Sequence, residues 1–372
     1  MKHQKHAKLT RKKMGTIATN ELAIMGTTCG EIKNLVEKLS NEIAPLTSAF
    51  IDMDHKSDEE ELKKSFLGST TSVYTDKINF HRIDLKSELN EFEKRKYFNS
   101  FDFTFINGNH YKAEKQLLVI DSRKPLIKKI AKITNPVAIV FSATENVIPS
   151  ELLNELPELK TLPQFSIEDI DKIGEFIAAS IIDKPTLKGL VLVGGKSTRM
   201  GSDKAILDYH GKPQWEYAKE LLAPYCEDVY VSVADNSTSY KDTPQVTDKF
   251  LGLGPMGGIL SAFQEDPNSA WLVIACDLPL LSTKSLDHLV AKRNIHKIAT
   301  SFKSPTLDFP EPLICIWEPK AYGTLLEYLS WGYSCPRKAL INSDIELLIS
   351  EHEEEMTNAN TQEEFIEIKN NL

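Results

Sequence analysis

Residues 194–204 gather two adjacent glycines, Gly194-Gly195, a third at Gly201, and the cations Lys196, Arg199 and Lys204. Glycine lets backbone amides approach an anion closely. Lysine and arginine neutralise charge as it moves during phosphoryl transfer. These residue types at this spacing describe a polyphosphate site. The loop follows an apolar run at residues 190–193 that reads as a buried strand. Its amides therefore stand at the carboxyl edge of a sheet, where α/β proteins bind ligands.

Two further segments carry compatible chemistry. Asp277 follows the apolar run 271–275 and precedes Leu278-Pro279, so it projects from a strand end. A carboxylate there suits Mg²⁺, which takes one or two carboxylates plus phosphates and waters; a turn or helix-capping aspartate is the plainer reading. Gly252-Leu253-Gly254-Pro255-Met256-Gly257-Gly258 is an amide-rich loop able to wrap a base and ribose, or an ordinary strand-to-helix connection. Asp248, just ahead of it, has the chemistry for ribose hydroxyls or for assisting a metal, and equally that of a turn aspartate.

These segments need a scaffold, and strand-like and helix-like stretches alternate along most of the chain, which argues α/β architecture. In the first half, residues 22–25, 101–107, 116–121 and 136–141 read as strands, and residues 31–42 as an amphipathic helix with Leu35, Leu39 and Ile43 on one face. Ser166-Ile167-Glu168-Asp169 fits a capping box, and Ile170, Ile173, Ile177 and Ile181 continue that helix. Pro185 stops it. In the second half, residues 190–193, 228–233, 271–275 and 313–317 read as strands, with helices at 214–222, from 258, and at 282–293 capped by Ser282. The expected organisation is a disordered basic tail at 1–17, an α/β domain at 18–184 and a second at 187–372. The acidic run 351–355 reads as a solvated face or loop.

Composition sets the class. A chain of 372 residues is long enough for about two domains. A hydrophobic fraction of 41% with 26% charged residues fits a globular protein with real cores. The net charge of −9 argues against a nucleic-acid surface, and no apolar run suits a membrane span or a secretory signal. The five cysteines are scattered without a Cys-x-x-Cys pair, which fits reduced thiols in a cytoplasmic protein.

The ordered motifs Leu192-Val193-Gly194-Gly195, Arg199-Met200-Gly201, Asp203-Lys204, Gly211-Lys212-Pro213, Gly254-Pro255-Met256-Gly257-Gly258, Cys276-Asp277-Leu278-Pro279, Glu311-Pro312-Leu313 and Asn358-Ala359-Asn360-Thr361-Gln362-Glu363-Glu364 resemble the molybdenum cofactor guanylyltransferase family over residues 187–370. The resemblance implies a Rossmann-like nucleotidyltransferase domain. It implies GTP held by the backbone of Leu192, Val193, Gly194 and Gly195 and by Lys204, Ser232, Asp248 and Asp277. It implies Mg²⁺ on Asp277, catalysis by Lys204, Arg199 and Asp277, and a molybdopterin acceptor at Asn358, Asn360 and Arg337. The terminal phosphate of molybdenum-bound molybdopterin would attack the α-phosphate of GTP, with pyrophosphate leaving and no covalent enzyme intermediate. Molybdoenzymes or cofactor-insertion proteins would receive the product. Val193 stands in place of the family's usual alanine, a change the backbone contact tolerates. Ser232 stands where some members have asparagine, which leaves another base or acceptor open (a cytidylyl or sugar-phosphate enzyme), and the eroded glycine loop of the first half leaves a non-catalytic delivery protein open.

In the first half, Gly26-Thr27-Thr28-Cys29-Gly30-Glu31-Ile32 sits where a P-loop would. A working P-loop ends Gly-Lys-Ser/Thr. Here Glu31 stands for the lysine and Ile32 for the hydroxyl residue, and a carboxylate repels a triphosphate. The order of elements over residues 18–182, with Asn107 where an acid is usual, resembles the P-loop partner protein of molybdopterin-guanine dinucleotide synthesis. The expectation is a degenerate, non-hydrolysing P-loop-like domain for docking, cofactor handover or dimerisation. The segment Asp52-Met53-Asp54-His55 reads as a polar loop rather than a metal cluster.

Overall fold

The structure is a computed structural model that describes residues 8–54, 59–193, 204–234, 240, 243–359 and 361–371. The chain divides between Asp183 and Lys184 into two compact units, 14–183 and 184–372, the latter joined by the segment before residue 14.

The first unit contains the strands β1 (Glu21–Met25), β2 (Ser48–Ile51), β3 (Ser72–Asp76), β4 (His81–Leu85), β5 (Phe103–Asn107), β6 (Gln116–Ile120), β7 (Pro136–Phe141) and β8 (Gln164–Ser166). Its helices are α1 (Cys29–Glu42), α2 (Glu59–Ser65), α3 (Glu91–Phe98), α4 (Ser150–Glu155) and α5 (Ile170–Phe176). Six strands form a parallel sheet in the order β2-β5-β1-β6-β7-β8, while β3 and β4 pair as a separate hairpin. Strands β1, β5 and β6 are buried along their whole length, as continuous apolar runs in a parallel sheet require. Ile32, Leu35 and Leu39 of α1 pack on that sheet.

The helix expected from Ser166 starts later. Ser166 is the last residue of β8, opposite Phe141, so its backbone is committed to the sheet. Its amide donates to Asp169 Oδ2 at 3.0 Å and its hydroxyl accepts from Glu168 N at 3.3 Å, closing a polar turn ahead of α5. The isoleucine repeat then runs through a π-helical turn, Ile177–Ile181.

The second unit contains β9 (Leu187–Leu192), β10 (Val229–Val233), β11 (Gln245–Thr247), β12 (Ala270–Ala275), β13 (Ala299–Lys303), β14 (Pro310–Trp317) and β15 (Glu346–Leu348). Its helices are α6 (Gln214–Leu222), α7 (Pro255–Glu265), α8 (Thr283–Ala291), α9 (Lys320–Ser330), α10 (Pro336–Ile341) and α11 (Gln362–Asn371). The sheet order is β11-β10-β9-β12-β14-β13-β15, with β14 antiparallel to its neighbours β12 and β13. The fully buried rings Trp271 and Trp317 face each other in register across β12 and β14. Burial of one such side chain is worth about 4–6 kcal/mol of transfer free energy before entropy is counted.

The basic stretch at the start of the chain has a place on this unit. Asn268 accepts from Lys13 N at 2.6 Å and donates to Arg11 O at 3.1 Å, and Lys12 Nζ reaches Pro319 O at 3.4 Å. Residues 1–7 lie outside the described residues.

Both sheets are wound outward from their first strand. In each, the chain builds to one side and then crosses to the other, so the first strand borders a switch point: β1 with β6, and β9 with β12. Ligand crevices of α/β proteins lie at such points.

Candidate functional site

At the switch point of the second sheet, β9 and β12 are stitched together at their carboxyl ends by a bond from Cys276 N to Leu192 O of 3.2 Å. That contact sets Asp277 beside the end of β9. Lys204 opens a short 3-10 turn, Lys204–Ile206, and its ammonium lies 3.3 Å from Asp277 Oδ2. The other carboxylate oxygen, Oδ1, is buried and has no hydrogen-bond partner among the described residues. Leaving such an atom bare costs about 1–3 kcal/mol or more for a charged group, so Asp277 Oδ1 is a position open to a further partner, a cation or a water. Leu192 and Val193 are nearly buried. Gly194, Gly195 and Arg199 lie outside the described residues.

The loop after Asp277 is held almost carbonyl by carbonyl. Asp277 O accepts from Ala359 N at 3.0 Å. Leu278 O accepts from Gln214 Nε2 at 3.3 Å, Pro279 O from His210 Nε2 at 2.8 Å, and Leu281 O from the Tyr217 hydroxyl at 3.0 Å. Ser282, the N-cap of α8, gives both its amide and its hydroxyl to Glu355. Glu355 is thus 5% exposed, a correction to the solvated face expected for the acidic run. Its neighbours Glu351, Glu353 and Glu354 are the exposed members. The bond from Ala359 also brings the exposed Asn358 to the Asp277 loop; Asn360 lies outside the described residues.

Ser232 and Asp248 lie on the neighbouring strand ends and face α7. Gly258 is the residue that permits this: a Cβ built there would stand 2.6 Å from Ser232 Oγ and 2.8 Å from Leu192 Cδ2. A Cβ on Gly257 would meet Phe250 O at 2.5 Å and both Asp248 carboxylate oxygens at 2.9 Å. Asp248 Oδ1 accepts from Phe250 N at 3.0 Å and from Ser261 Oγ at 3.2 Å. Its carboxylate therefore fastens its own turn to α7. Gly254, with φ of +58°, makes the bend that starts the helix, a conformation only glycine adopts cheaply. Arg337 stands apart on α10, 3.5 Å from Glu311 Oε2, with its Nε buried and without a hydrogen-bond partner.

The matching edge of the first unit is built differently. Asp121 follows β6 as Asp277 follows β12, but every oxygen is occupied. Thr27 Oγ1 donates to Oδ2, and Arg123 donates to Oδ1 at 3.0 Å and to Oδ2 at 2.8 Å. Burial alone pushes the Asp121 carboxyl up; the hydrogen bonds from Arg123 and Thr27 outweigh it and hold the group below the ordinary carboxylate range. Glu31 lies 3.4 Å from Arg123 Nη1. Asn107 donates to Asp52 Oδ1 at 2.7 Å, and Lys33 pairs with Asp52 Oδ2 at 3.1 Å. Lys129 Nζ reaches Asn109 Oδ1 at 2.6 Å. Cations missing from the loop thus arrive from α1 and from residues 123–132, a supply invisible in the motif. Among the described residues no group of three or more His, Cys, Asp or Glu side chains is placed to hold a metal. No helix among them is long and apolar enough to cross a membrane.

Residues 189–342 match the MobA-like NTP transferase domain. The molybdenum cofactor biosynthesis bifunctional protein of Synechocystis sp. is 35% identical over 190 residues, 50% of this chain and 55% of that protein. The chain thus spans little more than half the length of that relative. The probable molybdenum cofactor guanylyltransferase of Flavobacterium johnsoniae is 33% identical over 135 residues, 36% of this chain and 70% of that protein. Among solved structures, molybdopterin-guanine dinucleotide biosynthesis protein A from Archaeoglobus fulgidus is 22% identical, covers 49% of this chain and 97% of its own, and superposes with a TM-score of 0.42. By its identity to most of the length of the Flavobacterium protein, this chain belongs to the molybdenum cofactor guanylyltransferase family.

Proposed function

We propose that the second unit transfers GMP from GTP to the terminal phosphate of molybdenum-molybdopterin, releasing pyrophosphate and giving the guanine dinucleotide cofactor. The observation that carries this reading is the Asp277–Lys204 pair with its bare, buried Oδ1 at the sheet's switch point. Leu192, Val193, Gly194 and Gly195 offer backbone amides to the phosphates of GTP. Lys204 and Arg199 neutralise charge on the α-phosphate as the acceptor phosphate attacks in line. Ser232 and Asp248 set the wall of the nucleotide pocket by packing against α7. Asn358, Asn360 and Arg337 form the acceptor side.

Mg²⁺ fits Asp277, because one unpaired carboxylate oxygen is what this cation takes from a protein when phosphates and waters complete its shell. Held there by Asp277, it would supply positive charge against the phosphates. Positioning and charge neutralisation carry the rest of the barrier, and no covalent intermediate is needed. The first unit serves docking, cofactor handover or dimerisation without hydrolysing nucleotide, as a P-loop-like edge whose aspartate is already neutralised. The boundaries 18–184 and 187–372 belong to this reading. The product passes to molybdoenzymes or to cofactor-insertion proteins.

The test follows pyrophosphate release from a panel of nucleoside triphosphates with Mg²⁺ and molybdenum-molybdopterin. GTP should be preferred. A preference for CTP would move the protein to another base, and no turnover with any nucleotide would make it a delivery protein.

A further inference from the structure

Resting on that reading, we infer that residues 355–359 and 361–369 form a clasp that sets the acceptor side of the site, with Glu355 and Tyr209 as its two positioning residues. Neither residue is reached by the motif argument. The clasp is anchored at its start by Glu355. This carboxylate, 5% exposed, receives Ser282 N at 3.0 Å and the Ser282 hydroxyl at 2.5 Å. Four residues later, Ala359 N bonds Asp277 O at 3.0 Å. The segment 355–359 therefore runs back along the loop 277–282, tied at both ends, and Asn358 is carried between the ties.

The far side of the clasp is α11. Thr361 and Glu364 cap each other reciprocally, with Thr361 N on Glu364 Oε2 at 3.0 Å and Glu364 N on Thr361 Oγ1 at 3.2 Å. The helix then lays Phe365 and Ile368 on Tyr209, whose ring meets Phe365 edge-on at 4.8 Å between centroids. Lys369 Nζ closes the contact on Asp208 O at 2.7 Å. Tyr209 is 7% exposed and packs with Ala359, Leu207 and Leu280 in one small cluster. The ring thus bridges three segments: 207–210, the Asp277 loop and the residues flanking Asn358. Burial, and the nearby Asp277, Cys276 and Glu364, push its hydroxyl up to about 12, so the phenol stays neutral beside Asp277.

This arrangement separates two functions. The nucleotide side, as far as the described residues go, rests on β9 and α7, where Leu192 and Ser232 pack against Gly258. Met356 roots the start of the clasp in the main core, while its Tyr209 end rests on a small satellite cluster with Ala359 and Ile368, so loosening that end should move Asn358 while leaving β9 in place. The ligand class that feels the clasp is the anionic, phosphate-ended acceptor.

The experiment compares Tyr209→Ala, Tyr209→Phe and Glu355→Ala in the full chain. GTP affinity is read by calorimetry, acceptor KM and kcat by pyrophosphate release, and the backbone by hydrogen exchange. The alanine variants should raise acceptor KM by at least ~10-fold with GTP affinity within ~2-fold. Tyr209→Phe should restore most of the acceptor KM, because the ring and not the hydroxyl makes the contacts. Exchange should quicken at 277–282 and 355–369 but not at 187–193. If GTP affinity falls in step with acceptor binding, or exchange quickens equally in β9, the clasp is general scaffolding and the inference fails. If the wild-type chain does not turn over, the functional reading fails, and the exchange pattern still decides whether the clasp is separate from the nucleotide side.

Discussion

Asp277→Asn is the perturbation that isolates charge from shape. The amide is isosteric with the carboxylate, and its oxygen still accepts from Lys204, so packing is preserved while one negative charge is removed. At 3.3 Å the Coulomb attraction between Lys204 and Asp277 is about 1–5 kcal/mol, between the limits of water and an effective dielectric of ~20. Their side chains are 20% and 24% exposed, so solvent and side-chain entropy cut the net value to about 1 kcal/mol. Against that loss stands the lower desolvation cost of a neutral amide, offset in part because its NH2, in the place of Oδ1, is also without a partner; the balance is worth about 1 kcal/mol. Stability should therefore change by no more than about 1 kcal/mol in either direction, or about 2–4 °C in Tm for a unit of this size. Turnover should fall far more: losing a preorganised charge-stabilising group costs at least ~100-fold, about 2.7 kcal/mol in the barrier. The assay is steady-state pyrophosphate release at saturating GTP beside a thermal melt of the same sample. Turnover within ~10-fold of wild type would refute the placement of the chemistry at Asp277. A Tm drop of 10 °C would refute the claim that the carboxylate is there for chemistry rather than for the fold.

Four further outcomes follow from the geometry. Lys204→Ala should also cost at least ~100-fold in turnover, with Lys204→Arg intermediate, as measured by the same release assay. Gly258→Ala should destabilise the chain by about 1–3 kcal/mol by overpacking, and adding Ser232→Ala should recover part of it in urea unfolding, because Ser232 Oγ is the nearest obstacle. Asp121 has a carboxyl held below its ordinary value, so its contribution to stability is complete above the ordinary carboxylate range of ~4 and is lost as pH falls through the lowered value; Asp121→Asn should flatten the acid limb of the stability curve below about pH 4 without altering pyrophosphate release. Cys226, whose thiol burial pushes up to about 12, and the fully buried Cys315 should resist iodoacetamide at pH 8 while the exposed Cys335 is alkylated, read by peptide mass spectrometry.

Much of the second unit was legible because its signals are local. A continuous apolar run followed by Asp277 announces a buried parallel strand and its carboxyl end, and the observed β12 stops two residues before that aspartate. The strands at 190–193 and 228–233 were readable for the same reason. What the sequence hides is pairing across distance. The bond from Ala359 to Asp277 spans 82 positions, and the Glu355–Ser282 pair spans 73. In a run of glutamates no residue-level signal says which one turns inward. That choice is made by two unsatisfied donors at the start of α8, which sit far away in sequence. Strand β13, Ala299–Lys303, is hidden by the polar Thr300, Ser301 and Lys303 that break its apolar run, and β15 by its length of three residues. Ser166 misled because its polar turn satisfies the same donors as a capping box while the backbone belongs to β8.

The two switch points then bear on where the chemistry resides better than either glycine loop does. Comparing loops alone, the first half had lost its cations, Glu31 standing where a lysine would be. In three dimensions that edge is not poor in cations: Lys33, Arg123 and Lys129 all reach it. The difference lies in what those cations do. At Asp121 the guanidinium occupies both carboxylate oxygens and Thr27 adds a third donor, so the aspartate has no capacity left for a metal or a phosphate-bound cation. At Asp277, among the described residues, Lys204 contacts one oxygen and the other oxygen has no partner. A satisfied carboxylate stabilises a fold; an unsatisfied buried one carries a free-energy cost that a ligand, an ion or a water can relieve. Arg123→Ala offers the decisive exchange. Removing the guanidinium should expose Asp121 and weaken the first unit at neutral pH, because a buried carboxylate loses its partner. It should not create nucleotide hydrolysis, since Glu31 would then face the same edge unneutralised. Measurable NTP hydrolysis in that variant on an Asp277→Asn background would show that the first edge is a masked active site, and would overturn the division of labour between the units.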